Sequence, residues 1–375
     1  MNTSTAQPQR LESLDILRGA DLFCLVGLEA VIHALSAATD SSWFAPVSRA
    51  FTHVEWAGFS PWDLVMPLFM FMTGITIPFS LSRYRSAPWN RQVWARILKR
   101  VILLWLFGMM CQGNLLALDP SHVYLYTNTL QAIAAGYLIS ALIYLHCRRS
   151  SVRIAVTLLL MAIYCVGMHL CGDFTPDGNF AESIDRECLG RFRDMAATSA
   201  DGSVIFHPHY RYTWVWSTLT FAVTVMSGVF AGTLLRQAHI TSLRKALIMA
   251  LTGAALAAIG WMWHPWHPVI KRLWTASMVL VSSGYCFMLM AGAYCVGDCI
   301  GIRRPFAWLK IYGMNSIAAY MIMSCVDFSS LSRSLLFGLQ QFTDAYYPAV
   351  IAIANATITY IILLILYRHR IFLKV

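Results

Sequence analysis

YTWVWSTLTFAVTVMSGVFAGTLL, residues 212–235, runs for 24 residues without an aspartate, glutamate, lysine or arginine. About 20 apolar residues in a helix cross the ~30 Å hydrocarbon of a bilayer, so this stretch reads as a membrane span. Comparable uncharged runs occupy residues 101–118, 154–171, 246–263, 273–297 and 345–367. Residues 64–79, 129–147 and 311–326 are shorter or interrupted by Pro or Gly. A bundle tolerates such breaks where neighbouring helices satisfy the freed backbone groups. Hydrophobic residues make up 58% of the 375 and charged residues 12%, against roughly 45–50% and 25% in soluble domains. The expected fold class is therefore all-α, a polytopic integral membrane helical bundle of about ten transmembrane helices. One domain covers 1–375, with spans near 14–38, 62–82, 99–118, 126–147, 153–171, 212–235, 245–263, 272–297, 308–327 and 345–367. The segment 172–211 is the long external loop.

The formal net charge of +10 does not point to nucleic acid. The basic residues sit in short segments between apolar runs, and none is interleaved with aromatics as a nucleic-acid groove requires. Assigned to alternate sides of ten spans, 20 of the 28 lysines and arginines fall on the side that holds both termini. Cytoplasmic loops carry the basic excess, so both termini are expected in the cytoplasm. The ten cysteines are scattered, mostly inside apolar runs, and no CxxC or Cys/His ligand spacing occurs. They read as small buried hydrophobes. Cys171 and Cys188 flank the external loop and are candidates for a pair. His207-Pro-His209 alone is too sparse for a metal site, and none is expected.

The opposite face has a different chemistry. It gathers His53, Glu55, His122, His169, His207, His209, His264 and His267, with Trp43, Trp56, Trp62, Trp214, Trp216, Trp263 and Trp266. Interfacial tryptophan is ordinary; so many histidines are not explained by solvation alone. The loop 172–211 carries seven acids, from Asp173 to Asp201, and the simplest reading is a solvated surface.

Charges inside a span cost roughly 2.5–3.5 kcal/mol each on insertion and mark functional sites by default. The first span holds Asp15, Arg18, Asp21 and Glu29. In a continuous α-helix Asp15, Arg18, Glu29 and His33 share one stripe, which should face the bundle interior. A second constellation lies at the external start of the second span, where His53, Glu55 and Asp63 occur within FTHVEWAGFSPWD, residues 51–63. A histidine flanked by acids that orient its ring is suited to take a proton from an amine or hydroxyl nucleophile.

These segments resemble a known family. SLDILRG (13–19), HVEWAG (53–58), WDLVMPLFMF (62–71), Leu130-Gln131, LWTAS (273–277), GMNSI (313–317) and YRHRIFLK (367–374) are similar, in order and spacing, to the heparan-α-glucosaminide N-acetyltransferase-like membrane acyltransferases. The resemblance implies transfer of an acetyl group from cytoplasmic acetyl-CoA to the amine of a terminal glucosamine across the membrane. It implies that His53, preceding the Trp-x-Gly motif, is the catalytic base. Eleven residues after the arginine of the Arg-Gly pair, the lysosomal enzyme carries an active-site asparagine and related O-acyltransferases a histidine; Glu29 stands there. Glu29 is thus a second catalytic candidate, as another base or a group orienting the acceptor. The resemblance also suggests a compact prokaryotic relative, in the inner (cytoplasmic) membrane with its catalytic face toward the periplasm.

The expected mechanism has acetyl-CoA as co-substrate and no bound cofactor. CoA phosphates would meet Arg18, Arg96, Lys99, Arg100 and Lys310. Gln131, Asn315 and Ser316 would line the pantetheine, or else form interhelical hydrogen bonds. Glu55, Asp63 and His33 would surround a sugar or glycan acceptor. Direct transfer is favoured over an acyl-His53 intermediate, because a ternary complex needs no second covalent step. The lipid bilayer is a partner by construction, and a homodimer is left open. The competing readings are a multi-pass transporter of a sugar or organic anion, an O-acyltransferase of an envelope polysaccharide, and a structural subunit of a glycan assembly machine.

Overall fold

The computed structural model describes residues 11–39, 42–112, 115–120, 123–199, 201–207, 210 and 212–373. His122 and His209, counted above among the external histidines, lie outside these residues. Eight helices among the described residues are long and apolar enough to cross a membrane. They are α1 (Glu12–Ala38), α2 (Pro61–Tyr84), α4 (Thr129–His146), α5 (Ser150–Leu170), α7 (Thr218–Leu235), α8 (Ser242–Trp263), α9 (Ala276–Cys299) and the apolar part of Ser329–Arg368, which is α12 (Tyr347–Arg368). The protein is a helical polytopic membrane bundle.

The expected spans at 99–118 and 308–327 are helical but take a different form. The first is α3 (Arg91–Cys111), whose leading half carries Arg91, Arg96, Lys99 and Arg100. The second is two short helices, α10 (Leu309–Met314) and α11 (Ser316–Cys325), broken at Asn315. In the loop 172–211, α6 (Phe180–Leu189) is followed by a two-stranded hairpin, Ala196–Thr198 against Val204–Phe206.

Helix ends follow the local chemistry. Asn90 accepts from the Gln92 N–H to open α3, and Asn179 accepts from the Glu182 N–H to open α6. Lys245 donates to the Leu235 carbonyl at the end of α7, 2.8 Å away, where the helix itself supplies no donor. Small residues then let backbones touch. A Cβ on Gly74 of α2 would lie 1.9 Å from the Val225 carbonyl oxygen of α7, and one on Gly19 of α1 would lie 1.9 Å from that of Leu309. Both helix pairs are in backbone contact only because these positions are glycine. Outward faces stay apolar: Leu158 and Leu159 of α5 and Leu247 and Leu251 of α8 are all more than half exposed, a face suited to lipid rather than water.

The loop 172–211 is not simply a solvated surface. Glu182, Asp185 and Asp194 are buried, and so is Arg193, which donates to both Glu182 and Asp194. Asp185 accepts from the Trp214 and Val215 N–H groups at 2.7 and 2.8 Å, pinning α6 to the chain entering α7. Cys171 and Cys188 are exposed free thiols, so the suggested pair is not formed.

Burial pushes the Asp185 carboxyl up to about 7, against the opposing pull of the two N–H groups and Arg193. An unfolded aspartate titrates near ~3.9. Between these values the folded loop binds the proton that the unfolded chain has lost, so loop stability falls as pH rises from about 4 to 7. Hydrogen exchange over residues 180–216, corrected for intrinsic rates, should therefore show less protection at pH 8 than at pH 5, by about tenfold or more, one pKa unit's worth. The Asp185→Asn variant should show no such pH dependence.

Candidate functional site

A cavity of about 480 Å³ lies between α1, α2, α3, α4, α10 and α11. Along α2 it is lined by Trp62, Val65, Met66, Phe69, Thr73, Thr76 and Ser80. Spacings of three and four put these on one helix face. From 62 to 80 the axial rise is ~27 Å, close to the full hydrocarbon thickness. His53, Lys271 and Tyr212 belong to one end of that face, Arg18 and Arg100 to the other half. The lining is mostly apolar, with hydroxyls of Thr73, Thr76, Ser80, Thr129 and Ser316 spaced along it.

The His53 end of the cavity is assembled from two segments far apart in sequence. In residues 52–60, the Ser60 hydroxyl donates to the Thr52 carbonyl at 2.7 Å and closes the loop. Residues 268–275 fold as a second compact turn, in which Thr275 accepts from the Ile270 N–H and donates to the Pro268 carbonyl. The two are zipped together by an antiparallel bridge between Ala57 and Ile270 and by the Gly58 N–H donating to Val269. Gly58 has φ of +129°, a conformation that disfavours other residues. Behind them, His267 is fully buried: its Nε2 accepts from the Ala276 N–H at 3.1 Å, leaving Nδ1–H to donate to His169 at 3.0 Å. Burial and the neighbouring His169 hold His267 down at about 4, so it stays neutral as a strut.

This framework brings His53, Asp63 and Lys271 together. His53 Nδ1 lies 2.8 Å from Asp63 Oδ1. Asp63 is 1% exposed, and its other oxygen accepts from the Ser60 N–H at 2.9 Å and the Ser60 hydroxyl at 3.1 Å. The Lys271 ammonium is 3.4 Å from Asp63 Oδ1, 3.1 Å from His53 Nδ1 and 3.5 Å from His53 Nε2. A carboxylate only accepts, so the proton between His53 and Asp63 sits on Nδ1, and Nε2 keeps its lone pair, 3.5 Å from the Lys271 ammonium. The His53 side chain is 46% exposed, so that lone pair is accessible, while its two partners are buried. Such a pair is equipped for general-base chemistry.

Glu29 lies near His33, Trp62, His53 and Lys271, outside the cavity lining. α1 is not a continuous α-helix: residues Cys24–Leu28 form a π turn. One extra residue in a turn rotates the following face by ~100°, so the single stripe expected for Asp15, Arg18, Glu29 and His33 is broken. Arg18 lines the inner half of the cavity, 4.0 Å from Asp15. Asp21 is buried beside Cys286, away from the cavity lining. His33 donates through Nε2 to the Phe51 carbonyl and braces the loop before His53. Glu55 is exposed outside the cavity lining.

The expected CoA residues divide. Arg18, Arg100 and Ser316 line the cavity; Arg100 also lies over the Tyr137 ring and leaves its buried Nε without a partner. The others are committed elsewhere. Gln131 is buried, its amide accepting from the Thr127 and Asn128 N–H groups and donating to Leu125, so it caps α4. Asn315 donates to Ile371 and accepts from the Leu373 N–H, tying the C-terminal segment beneath the cavity. Lys310 pairs with Glu12 at 3.2 Å, Arg96 lies over Tyr84, and Lys99 is exposed outside the lining. Lys271 was missed by sequence reasoning. It sits in a short polar stretch beside Arg272, where loop solvation explains it equally well.

Residues 10–177 match the family model for heparan-alpha-glucosaminide N-acetyltransferase, catalytic. Over these residues the chain is similar to that family. The human protein of that name is 25% identical over 374 aligned residues, covering 84% of this chain and 53% of the relative. The chain therefore spans about half the length of that curated relative. The family-model match takes in Arg18, Glu29, His53, Asp63 and Arg100, and stops before Lys271 and Ser316. Among the described residues no group of three or more His, Cys, Asp or Glu side chains is placed to hold a metal ion.

Proposed function

We propose that the protein transfers an acetyl group from acetyl-CoA, entering from the cytoplasm, to an amino sugar or glycan on the external face of the inner membrane. The observation that carries this reading is the 2.8 Å His53–Asp63 pair at one end of a cavity lined over ~27 Å of α2. An acyl-CoA is long, with an anionic head, a polar arm and a reactive end. Arg18 and Arg100 in the inner half suit the phosphates, the hydroxyls along α2 and Ser316 suit the pantetheine, and the outer end leaves the thioester beside His53.

In the reaction His53 Nε2 takes a proton from the acceptor amine as its nitrogen attacks the thioester carbonyl. The C–N bond forms, the C–S bond breaks, and the CoA sulfur leaves with the proton that His53 returns. Asp63 keeps the Nδ1 proton in place through both transfers. Glu29, beside the same centre, orients the acceptor. A transporter needs a cavity of this length too, and can use such an imidazole as a proton relay, but it would give no acetylated product. The test is acetyl-CoA-dependent acetylation of a panel of amino sugars and hydroxyl glycans by purified protein in lipid. Product with an amino sugar supports the reading; product only with hydroxyl glycans turns it to O-acylation, and no product with any acceptor overturns it.

A further inference from the structure

We propose that Lys271 is the oxyanion-stabilising residue: its ammonium receives the negative charge that develops on the thioester carbonyl oxygen. The inference rests on the acetyl-transfer reading above and assigns the group that reading leaves open. A tetrahedral intermediate carries a full negative charge on oxygen, and in a low-dielectric site that charge needs preorganised donors or a cation. Among the described residues, Lys271 is the lysine that lines the cavity. Its ammonium is buried, yet 3.5 Å from the basic nitrogen of His53.

The donor count leaves room for a ligand. An ammonium has three N–H donors. Among the described residues the one oxygen that Lys271 meets is Asp63 Oδ1, at 3.4 Å. His53 Nδ1, 3.1 Å away, carries the proton given to Asp63 and offers no lone pair, so the ring acceptor within reach is Nε2, at 3.5 Å. The ring of Tyr212, with its centroid 5.9 Å from the nitrogen, closes one side. With Asp63 Oδ1 and His53 Nε2 each within reach of one donor, the third is left for a carbonyl oxygen, and the attacking amine takes Nε2 when it binds. Base and cation act on the two sides of the same reacting carbon. When the C–N bond forms, the carbonyl electron pair moves to oxygen against Lys271; when the C–S bond breaks, it returns. The lysine is neither consumed nor acylated.

Placement of Lys271 depends on the zipped turns rather than on a helix. The Ala57–Ile270 bridge lies one residue from Lys271, and the Gly58–Val269 bond two residues away. Asp63 thereby holds both the base and the cation through a single oxygen.

The test compares Lys271→Gln and Lys271→Arg in lipid-reconstituted protein with acetyl-CoA and an amino sugar. Glutamine can still donate to Asp63 but removes its counter-charge, so a lower melting temperature is expected; unchanged elution at the assay temperature would verify that the fold survives. Loss of one oxyanion donor costs on the order of 10²–10³ in kcat. Lys271→Gln is expected to lose that much with KM for acetyl-CoA within about threefold of wild type, and Lys271→Arg to recover part of it. If Lys271→Gln folds and keeps wild-type kcat, or loses affinity for acetyl-CoA instead, the assignment is wrong. Should the glutamine variant not fold, an arginine variant as slow as His53→Ala overturns the assignment, and an active one supports it. Absence of transfer by the wild type overturns the acetyl-transfer reading and this inference together. Active wild type with an unaffected Lys271→Gln overturns this inference alone.

Discussion

Replacing His53 with alanine should lower kcat for acetyl transfer by on the order of 10²–10⁴-fold, the usual contribution of a positioned general base, while acetyl-CoA still binds. The imidazole is half-exposed and packs little, so its removal leaves the buried Asp63–Lys271 pair intact. Thermal stability should change by less than about 1 kcal/mol, as for other exposed substitutions. Steady-state kinetics on protein of matched stability check both statements. Labelled acetyl-CoA incubated without acceptor adds a second readout. Direct transfer predicts no stable label on His53, whereas an acyl-enzyme route predicts one.

Asp63→Asn should have an effect as large on kcat and a larger one on stability. The carboxylate accepts from His53, Lys271 and twice from Ser60. An amide has only one oxygen, so either Ser60 or His53 must face its NH2 group. Facing His53, that group would donate to Nδ1, drive the ring proton to Nε2 and remove the lone pair that acts as base. In serine triads the equivalent change costs about 10⁴ in kcat. The buried Lys271 ammonium would also lose its counter-charge, and breaking one half of a buried ion pair costs about 3–5 kcal/mol. A drop of 10³-fold or more in kcat together with a clear fall in melting temperature is therefore expected. Wild-type turnover in this variant would remove Asp63 from the mechanism.

How much of this was legible in the sequence depends on the kind of interaction. Membrane spans were legible because an uncharged run such as 212–235 has one low-energy environment. The His53 and Asp63 cluster was legible because ten residues and a helix start bring the two together locally. Lys271 was not, because its contact with His53 joins residues 218 apart, through a bridge with no periodic pattern. Gln131 and Asn315 show the converse difficulty. A buried amide in an apolar chain reads as a ligand or a cap with equal ease, and here one closes a helix N-terminus and the other ties the C-terminal segment. The π turn at Cys24–Leu28 has no evident signature in its sequence, CLVGL, yet it decides where Glu29 points.

The central claim is that donor and acceptor meet from opposite sides of the bilayer through one cavity. Proteoliposomes test it most directly, with amino sugar sealed inside, labelled acetyl-CoA supplied outside, and a matched set holding both substrates outside only. The prediction is labelled N-acetyl sugar in the lumen of the first set and little in the second. Product formed only when both substrates share one compartment would contradict it.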